Sequence, residues 1–269
     1  MNAVSKILTV VLLGSSIALF AYLYGSVQKV IDDRDAIAGK EAAVIERLKL
    51  IREAEVVFLE VNGRYTANWD SLSNFIINGR VPIIERREEI IQKAYGGEEV
   101  KVHIDTLGFI TAKERIFKKN YTLNASDNGT FLGFKVKVGD RVIRNQKAYT
   151  LKVGDRDSDP PFTEQGTIDS LANISVGDAV RKGQILITYW DYIFDINTDL
   201  VNIGKKPGTD TNFEIFVGKV DKAGVMVQVV EVKDPSPDNP ARKETNEQKN
   251  RKPLRFGSRT DVSTAGNWE

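Results

Sequence analysis

The chain has 269 residues, 41% of them hydrophobic, so it is long and apolar enough to bury a core and is not disordered as a whole. Its 38 Lys and Arg residues against 37 Asp and Glu residues leave a net charge of +1, which argues against charge-driven binding of nucleic acid. The sequence contains no cysteine, which excludes disulfides, thiol catalysis and Cys-based zinc sites. The single histidine, His103, lies in an alternating segment and is expected to be structural or exposed.

The strongest signal is an uncharged run at residues 7–24. At about 1.5 Å per residue this run approaches the roughly 30 Å of a bilayer's hydrocarbon core. It ends in Tyr22 and Tyr24, and aromatic residues of this kind favour the membrane interface. The pattern predicts contact with membrane lipid through an uncleaved anchor, and a cleaved signal peptide is the alternative.

Charges beside the run give only a small orientation bias, with Lys6 before it and Lys29, Arg34 and Lys40 after it. A short leader before one span is typical of a signal anchor. We therefore expect a single-pass protein of the bacterial inner membrane, with its N-terminus inside and its bulk facing the periplasm or exterior.

Residues 40–61 predict an amphipathic helix, because apolar residues recur at a spacing near 3.5 and charged residues occupy the other side. The apolar positions are Val44, Leu48, Ile51 and Phe58. Gly25-Ser26 and Gly39 suggest flexible joints before this helix, and Asn62-Gly63 predicts its end. A second, short helix capped by Thr66 is expected to carry Trp69, Leu72, Phe75 and Ile76 on one face and to end at Asn78-Gly79.

The span, the segment LIREAEVVFLEVNGRYT and the following WDSL together resemble the N-terminal half of type IV pilins and type II secretion pseudopilins, over residues 7–77. The prepilin cleavage pattern of that family is absent, as is a glutamate five residues into the apolar run. The resemblance implies a structural subunit of an envelope machine, with an unprocessed N-terminus.

Beyond Gly79 the chain is expected to be mostly β-structure. VPII and EVKVHI read as strands around a brief helix that closes at Gly96-Gly97, and residues 105–117 read as strand and turn. Asp127-Asn128-Gly129 predicts a hairpin, as does Gly224 between residues 214–220 and 225–232. From residue 233 the chain is polar and is predicted to be loosely ordered. In the alternative prediction the tail docks on a neighbour through the apolar residues Leu254, Phe256 and Trp268.

One pattern occurs twice: VKVGDRVIRNQKAYTL at residues 136–151 and ISVGDAVRKGQILITY at 174–189. The second copy resembles the lipoyl-like or biotinyl-like hairpin of membrane fusion proteins, which are periplasmic adaptors. In that family a long helical hairpin usually separates the two halves, and here only 22 residues intervene. We favour a strand-turn-strand unit used twice as structure, with Gly-Asp forming the turn.

These patterns predict an α+β fold: a transmembrane helix continuing into an amphipathic helix, a short helix, a β-rich domain and a polar tail. The expected divisions are residues 1–25 (membrane anchor), 26–79 (membrane-proximal helices), 80–232 (β-rich domain) and 233–269 (tail). The sequence contains no pattern for catalysis, a cofactor or a metal. The aromatic group Tyr189, Trp190, Tyr192 and Phe194 is expected to be core, or a contact patch where it is exposed.

The predicted function is a non-enzymatic, membrane-anchored structural subunit that forms homo-oligomers or binds other envelope proteins. The alternatives are an adaptor of an efflux or secretion pump, an anchored enzyme and a phage virion component. The residues predicted to form the assembly interface are Val44, Leu48, Ile51, Phe58, Trp190, Tyr192, Phe256 and Trp268.

Overall fold

The computed structural model describes residues 3–93, 97–243 and 252–269. The chain divides into unit 1, Met1–Arg52 with Ile203–Glu269, and unit 2, Glu53–Asn202. The helices are α1 (Ala3–Asn62), α2 (Trp69–Asn78) and α3 (Ala112–Phe117), with a 3-10 helix at Pro240–Lys243. A long apolar N-terminal helix, a short helix and a region of several β-sheets agree with the predicted α+β class.

Helix α1 runs without a break through the two predicted joints, so the prediction of joints at Gly25 and Gly39 is wrong. Glycine costs about 1 kcal/mol in a helix relative to alanine, which lowers stability but does not interrupt a helix of this length. The predicted end is confirmed, since Gly63 has φ +68° and its N–H donates to the Leu59 carbonyl at 2.8 Å.

Helix α2 ends at Asn78 as predicted, and its predicted face is buried at Leu72, Phe75 and Ile76 and half-buried at Trp69. Its cap is different. Asn68, not Thr66, is the N-cap, and its side chain accepts from the Ser71 N–H at 3.0 Å. The Thr66 hydroxyl instead accepts from the N–H of Asn68 at 3.2 Å, so it orders the turn just before the helix.

Strands β1 (Arg80–Lys93) and β2 (Gly97–Thr111) form one long antiparallel hairpin. The brief helix predicted between them is wrong, because the charged residues 85–89 continue β1 and pair with residues 101–105 of β2. The predicted close at Gly96 lies outside the described residues. The sequence predicts a strand and a turn for residues 105–117. Their last six residues form helix α3 instead, and the N-cap Thr111 accepts through Oγ1 from the Glu114 N–H at 3.1 Å.

The rest of unit 2 is mainly two four-stranded antiparallel sheets. Their strands are β3 (Lys118–Asn124), β4 (Gly129–Phe134), β5 (Arg141–Val142), β6 (Tyr149–Val153), β7 (Arg156–Ser158), β8 (Gly166–Leu171), β9 (Ala179–Val180) and β10 (Ile185–Tyr192). One sheet has the order β3-β10-β8-β5 and the other β7-β6-β4-β9. The turn predicted at residues 127–129 is present, but β3 and β4 belong to different sheets and do not pair as a hairpin.

The repeated pattern forms the same turn in each sheet. Gly139 and Gly177 have φ of +88° and +99°. Asp140 accepts from the Lys137 N–H, and Asp178 accepts from the Ser175 N–H, each at 2.8 Å.

A second turn follows in each copy, and a glutamine side chain closes it. Gln146 accepts from the Ile143 N–H, and Gln184 accepts from the Arg181 N–H. The valines that follow the two Gly-Asp pairs, Val142 and Val180, are buried in one shared core. Each copy therefore contributes an edge strand and two turns to a common two-sheet structure, as the prediction of structural repetition requires.

We expect Gly139→Ala and Gly177→Ala each to lower the free energy of unfolding by about 1–2 kcal/mol, because a Cβ strains backbone with positive φ. Added Cβ atoms would meet nothing within 4 Å at either position, so the cost comes from the backbone alone. Thermal unfolding by circular dichroism measures the effect. Gly108→Ala, also in open space but without positive φ, is the control; equal melting temperatures for all three variants would contradict the prediction.

In unit 1, β11 (Glu214–Lys222), β12 (Val225–Lys233) and β13 (Arg255–Gly257) form a three-stranded antiparallel sheet. The predicted hairpin at Gly224 is confirmed, with φ of +54° at Ala223 and +84° at Gly224. The prediction of a loosely ordered tail is wrong for residues 252–269, because Leu254 and Phe256 are buried and β13 pairs with β12.

Candidate interaction surfaces

The first part of α1 exposes its apolar side chains. Every residue from 11 to 36 is exposed in the described chain, whereas burial begins at Val44. By length and composition the helix is able to cross a membrane: an 18-residue window within it has a mean hydropathy of 1.4, and none of that window is buried. An uncovered apolar surface of this size is typical of a contact with lipid or protein.

The β1–β2 hairpin has one apolar face and one charged face. Residues paired directly across a two-stranded sheet point to the same side, and successive residues alternate. The pairs Ile84–Thr106, Arg86–Ile104, Glu88–Val102 and Ile90–Val100 therefore share one face. Beyond a bulge, Phe109 pairs with Pro82 and extends the same row. We call Ile84, Ile90, Val100, Val102, Ile104 and Phe109 the apolar face.

The opposite side, the charged face, carries the intervening residues. Arg87 donates to Glu85 at 2.7 Å, and His103 Nε2 lies 3.2 Å from Glu89 Oε2. These contacts join residues two positions apart or on neighbouring strands, as a shared face requires. The charged face therefore suits water, and His103 lies at the surface as expected.

The apolar face is uncovered in the described chain. Its six side chains are between 40% and 64% exposed. At the base of the hairpin Val81 is buried, where β1 packs against α3 and β2 packs against α2 and α3. A two-stranded hairpin is marginally stable in water by itself, so a contiguous apolar face along it marks a candidate contact surface.

A second surface lies where β10 meets α3. Tyr189 is buried, Trp190 is half-buried and Tyr192 is 44% exposed, so the aromatic group divides between core and surface. The Trp190 and Tyr192 rings meet edge to face at 5.1 Å, and Lys118 Nζ lies 4.5 Å from the centre of the Trp190 ring. A shallow cavity of about 370 Å³ is lined here by Thr111, Lys113, Glu114, Phe117, Lys118, Trp190, Tyr192 and Ile196.

The eight residues predicted to form an assembly interface are not brought together. Five are buried in the chain's own core, namely Val44, Leu48, Ile51, Phe58 and Phe256. Trp268 is half-buried in unit 1. Only Trp190 and Tyr192 lie on an accessible surface, and they are the members of the set that can contact a partner without rearrangement.

Sequence reasoning missed the hairpin, although its signal was present. Ile84 and Ile90 on β1 and Val100, Val102 and Ile104 on β2 are spaced by even numbers of residues, which is the period of a strand. The dense charges between residues 85 and 89 concealed that period, because charged runs are equally common in helices.

One buried acidic group stands apart from both surfaces. Glu55 on α1 is fully buried; its Oε2 accepts from the Thr66 N–H at 3.0 Å, and its Oε1 has no hydrogen-bond partner among the described residues. Burial raises the pKa of Glu55 to about 8, against the lowering effect of the Thr66 hydrogen bond. Burial, followed by the nearby Glu55 charge, also raises the pKa of Tyr65.

No protein family and no curated protein matches the chain. Among solved structures, the crystal structure of the Kluyveromyces lactis urea carboxylase is similar to part of it, with 18% sequence identity and a TM-score of 0.25. The likeness covers 26% of this chain and 6% of that chain, so it spans a small part of the carboxylase. A TM-score of this size carries no argument about function.

Proposed function

We propose that this protein is a single-pass, membrane-anchored structural subunit of a multiprotein assembly in the bacterial envelope, of the pilus, pseudopilus or secretion type, and that it works by binding rather than by catalysis. The observation that carries the proposal is the change along α1 from wholly exposed apolar side chains at residues 11–24 to buried ones from Val44 onward. A helix with these two parts fits lipid at one end and protein at the other.

The two accessible surfaces of unit 2 support an assembly role. The apolar face and the aromatic surface at Trp190 and Tyr192 both present uncovered apolar area of the kind that marks contact sites. In our proposal the span lies in the inner membrane, unit 2 faces the periplasm or exterior, and these surfaces contact copies of the chain or other envelope proteins.

The adaptor function has one specific observation in its favour. Residues 118–192 form a single two-sheet structure built from the two Gly-Asp copies, which is the arrangement that the lipoyl-like resemblance implies. Within it, residues 143–178 carry strands and turns in place of a helical hairpin. We therefore rank the adaptor second. It would be favoured if the extracted protein formed a larger assembly only when an envelope transport protein was added.

Membrane fractionation of the full-length protein tests the anchor. We expect the chain to keep its initial Met1, to sediment with membranes, to resist an alkaline carbonate wash and to be released by mild detergent. Replacing Leu13 and Ile17 together by Lys should abolish retention, because each buried charge costs about 2.5–3.5 kcal/mol on insertion. Replacing Val27 and Ile31 by Lys, beyond the uncharged run, is the matched control.

The same preparation reports orientation. Because the chain contains no cysteine, a single Asn128→Cys variant in the β3–β4 turn can be labelled selectively. We expect a membrane-impermeant maleimide to label it from the periplasmic side. Labelling only after cell lysis would contradict the orientation, and a trimmed, soluble protein would contradict the anchor.

A further inference from the structure

We propose that the apolar face of the β1–β2 hairpin is covered by the same face of a second copy of this chain, packed face to face about a twofold axis. The biological sense of this pairing rests on the proposed function, which it deepens by naming the partner and the surface. Two charged side chains interrupt the apolar face and restrict what can cover it.

Arg86 and Glu88 are the charged residues at the centre of this face, and they are neighbours of opposite sign. Arg86 Nη2 lies 2.9 Å from Glu88 Oε1, and their side chains are 63% and 55% exposed. Covering the face with a purely apolar partner would remove both charges from water without new partners, which is unfavourable. The occupant must therefore present one acidic and one basic group in reverse order.

A second copy meets this requirement by symmetry. A twofold axis that crosses the hairpin at the level of Arg87 and His103, perpendicular to the strands, stacks β1 on the partner copy's β1 in antiparallel direction. Arg86 of each copy then faces Glu88 of the other. The same operation places Ile84 over Ile90, Val102 over Ile104 and Val100 over Thr106. At the centre of the interface each charge therefore meets an opposite charge, and the pairs Ile84–Ile90 and Val102–Ile104 beside them are apolar.

An alternative arrangement pairs two copies edge to edge, with β1 beside β1 and the twofold axis at the same level. This arrangement fits the charges less well. It would set Arg87 opposite Arg87 and Glu85 opposite Glu89, and like charges directly opposite are destabilising. Edge pairing would also leave the apolar face in water. Face-to-face packing leaves the charged face solvated with its own ion pairs intact, namely Arg87 with Glu85 and His103 with Glu89.

The size of the contact indicates how the test must be done. A ribbon of 14 residues in β1 is about 46 Å long and two strands are about 10 Å wide, so two faces bury about 900 Å². That is just below the roughly 1,000 Å² expected of a specific interface. The pairing is therefore expected to be weak for isolated molecules and strong where copies are concentrated in one membrane, and the test uses full-length protein in membranes.

The experiment combines a cross-link with charge reversal. In the cysteine-free chain, Val102→Cys places a thiol beside the proposed axis, and a short bismaleimide should capture a dimer of twice the chain mass. His103→Cys, one residue along on the charged face, is the control and should give little cross-link. In the Val102→Cys background, Arg86→Glu and Glu88→Arg should each lower the dimer yield roughly tenfold, because like charges then meet across the axis.

Mixing is the decisive step. Coexpressed Arg86→Glu and Glu88→Arg copies, carrying different tags, should cross-link to each other at near the original yield, since each again faces an opposite charge. Recovery in the mixture also shows that both variants fold. Arg87→Glu, on the charged face, should leave the yield unchanged.

The pairing is overturned if both reversals leave the yield unchanged, or if the mixture stays as low as the single variants. It is equally overturned if the Val102→Cys thiol is captured on a different protein or only by a lipid-phase reagent. Each of these results leaves the proposed membrane anchor standing, because fractionation tests that separately.

Discussion

Replacement of Glu55 by Gln is expected to remove a large pH dependence of stability between about pH 4.5 and 8. The carboxyl is fully buried with one oxygen unpartnered, and burial raises its pKa from 4.5 to about 8. Glu55 lies roughly 30 residues, or about 45 Å of helix, beyond the uncharged run. The burial is therefore in protein and not in the uncharged run at residues 7–24.

The sign follows from proton binding. Between pH 4.5 and 8 the folded chain holds a proton on Glu55 that the unfolded chain has released, so stability falls as the pH rises. The contribution is fully present below pH 4.5 and is lost as the pH passes about 8. It amounts to about 5 kcal/mol over the whole window.

Glutamine does not titrate, so the variant should lose this slope. At pH 5 we expect Glu55→Gln to be up to about 2 kcal/mol less stable than the parent, because a buried amide group then lacks a partner. At pH 8.5 it should be the more stable of the two. Urea unfolding in mild detergent at several pH values, followed by tryptophan fluorescence, measures the difference.

Glu60→Gln is the matched control on the same helix. Glu60 is 44% exposed and lies 3.6 Å from Arg115, so its replacement should change stability by less than about 1 kcal/mol at any pH. If Glu55→Gln and the parent kept the same difference in stability from pH 5 to 8.5, Glu55 would not be protonated in the folded protein.

Replacement of Lys206 by Met is expected to destabilise unit 1 by about 3–5 kcal/mol. Lys206 Nζ lies 3.0 Å from Asp234 Oδ2 and 2.7 Å from Asp238 Oδ2, and it also donates to the Ser236 carbonyl. The side chains of Lys206 and Asp234 are each 2% exposed. Without the lysine, the Asp234 carboxylate is a buried charge that has lost its cation.

The ionisation of this group supports the expectation. Burial lowers the pKa of Lys206, but hydrogen bonds to Asp238 and Asp234 raise it, and the net direction is upward. The lysine therefore stays charged. The double variant Lys206→Met/Asp234→Leu should recover part of the loss, because the second change removes the buried carboxylate that has lost its cation.

The neighbouring Lys205 provides the control for this experiment. It pairs with the fully exposed Asp210 at 3.2 Å, so Lys205→Met should cost less than about 1 kcal/mol. Urea midpoints of the three variants, with Trp268 fluorescence reporting on unit 1, make the comparison. Equal midpoints for Lys206→Met and Lys205→Met would show that the buried contacts do not contribute to stability.

Local sequence patterns were sufficient to predict several elements of the fold. The buried side of α1 at Val44 and Leu48, the end of that helix at Gly63 and the turn at Gly224 were all predictable. Each depends on side-chain period or backbone freedom within a few residues. The prediction of residues 85–89 as helical was wrong, because their conformation depends on pairing with residues 101–105.

The candidate surfaces were less predictable than the elements. Trp190 and Tyr192 were identified and are accessible, but Val44, Leu48, Ile51, Phe58 and Phe256 are covered by the chain itself. A periodic row of apolar residues shows that one face of an element is covered. It does not show whether the chain itself or a partner covers that face. The tail was misread for the same reason, since Phe256 is buried by a sheet whose other strands begin some forty residues earlier.

By itself, the sequence determined an apolar helix long enough to cross a membrane, the turns of the two Gly-Asp copies and the hairpin at Gly224. These features depend on residues adjacent in the chain, where glycine's tolerance of positive φ and the helical or strand period act directly. Only the tertiary structure decided that β3 and β4 enter different sheets, that Phe256 is buried and that the apolar face, which contains Ile104, is exposed. Strand pairing and burial depend on residues distant in sequence, whose approach no local pattern records.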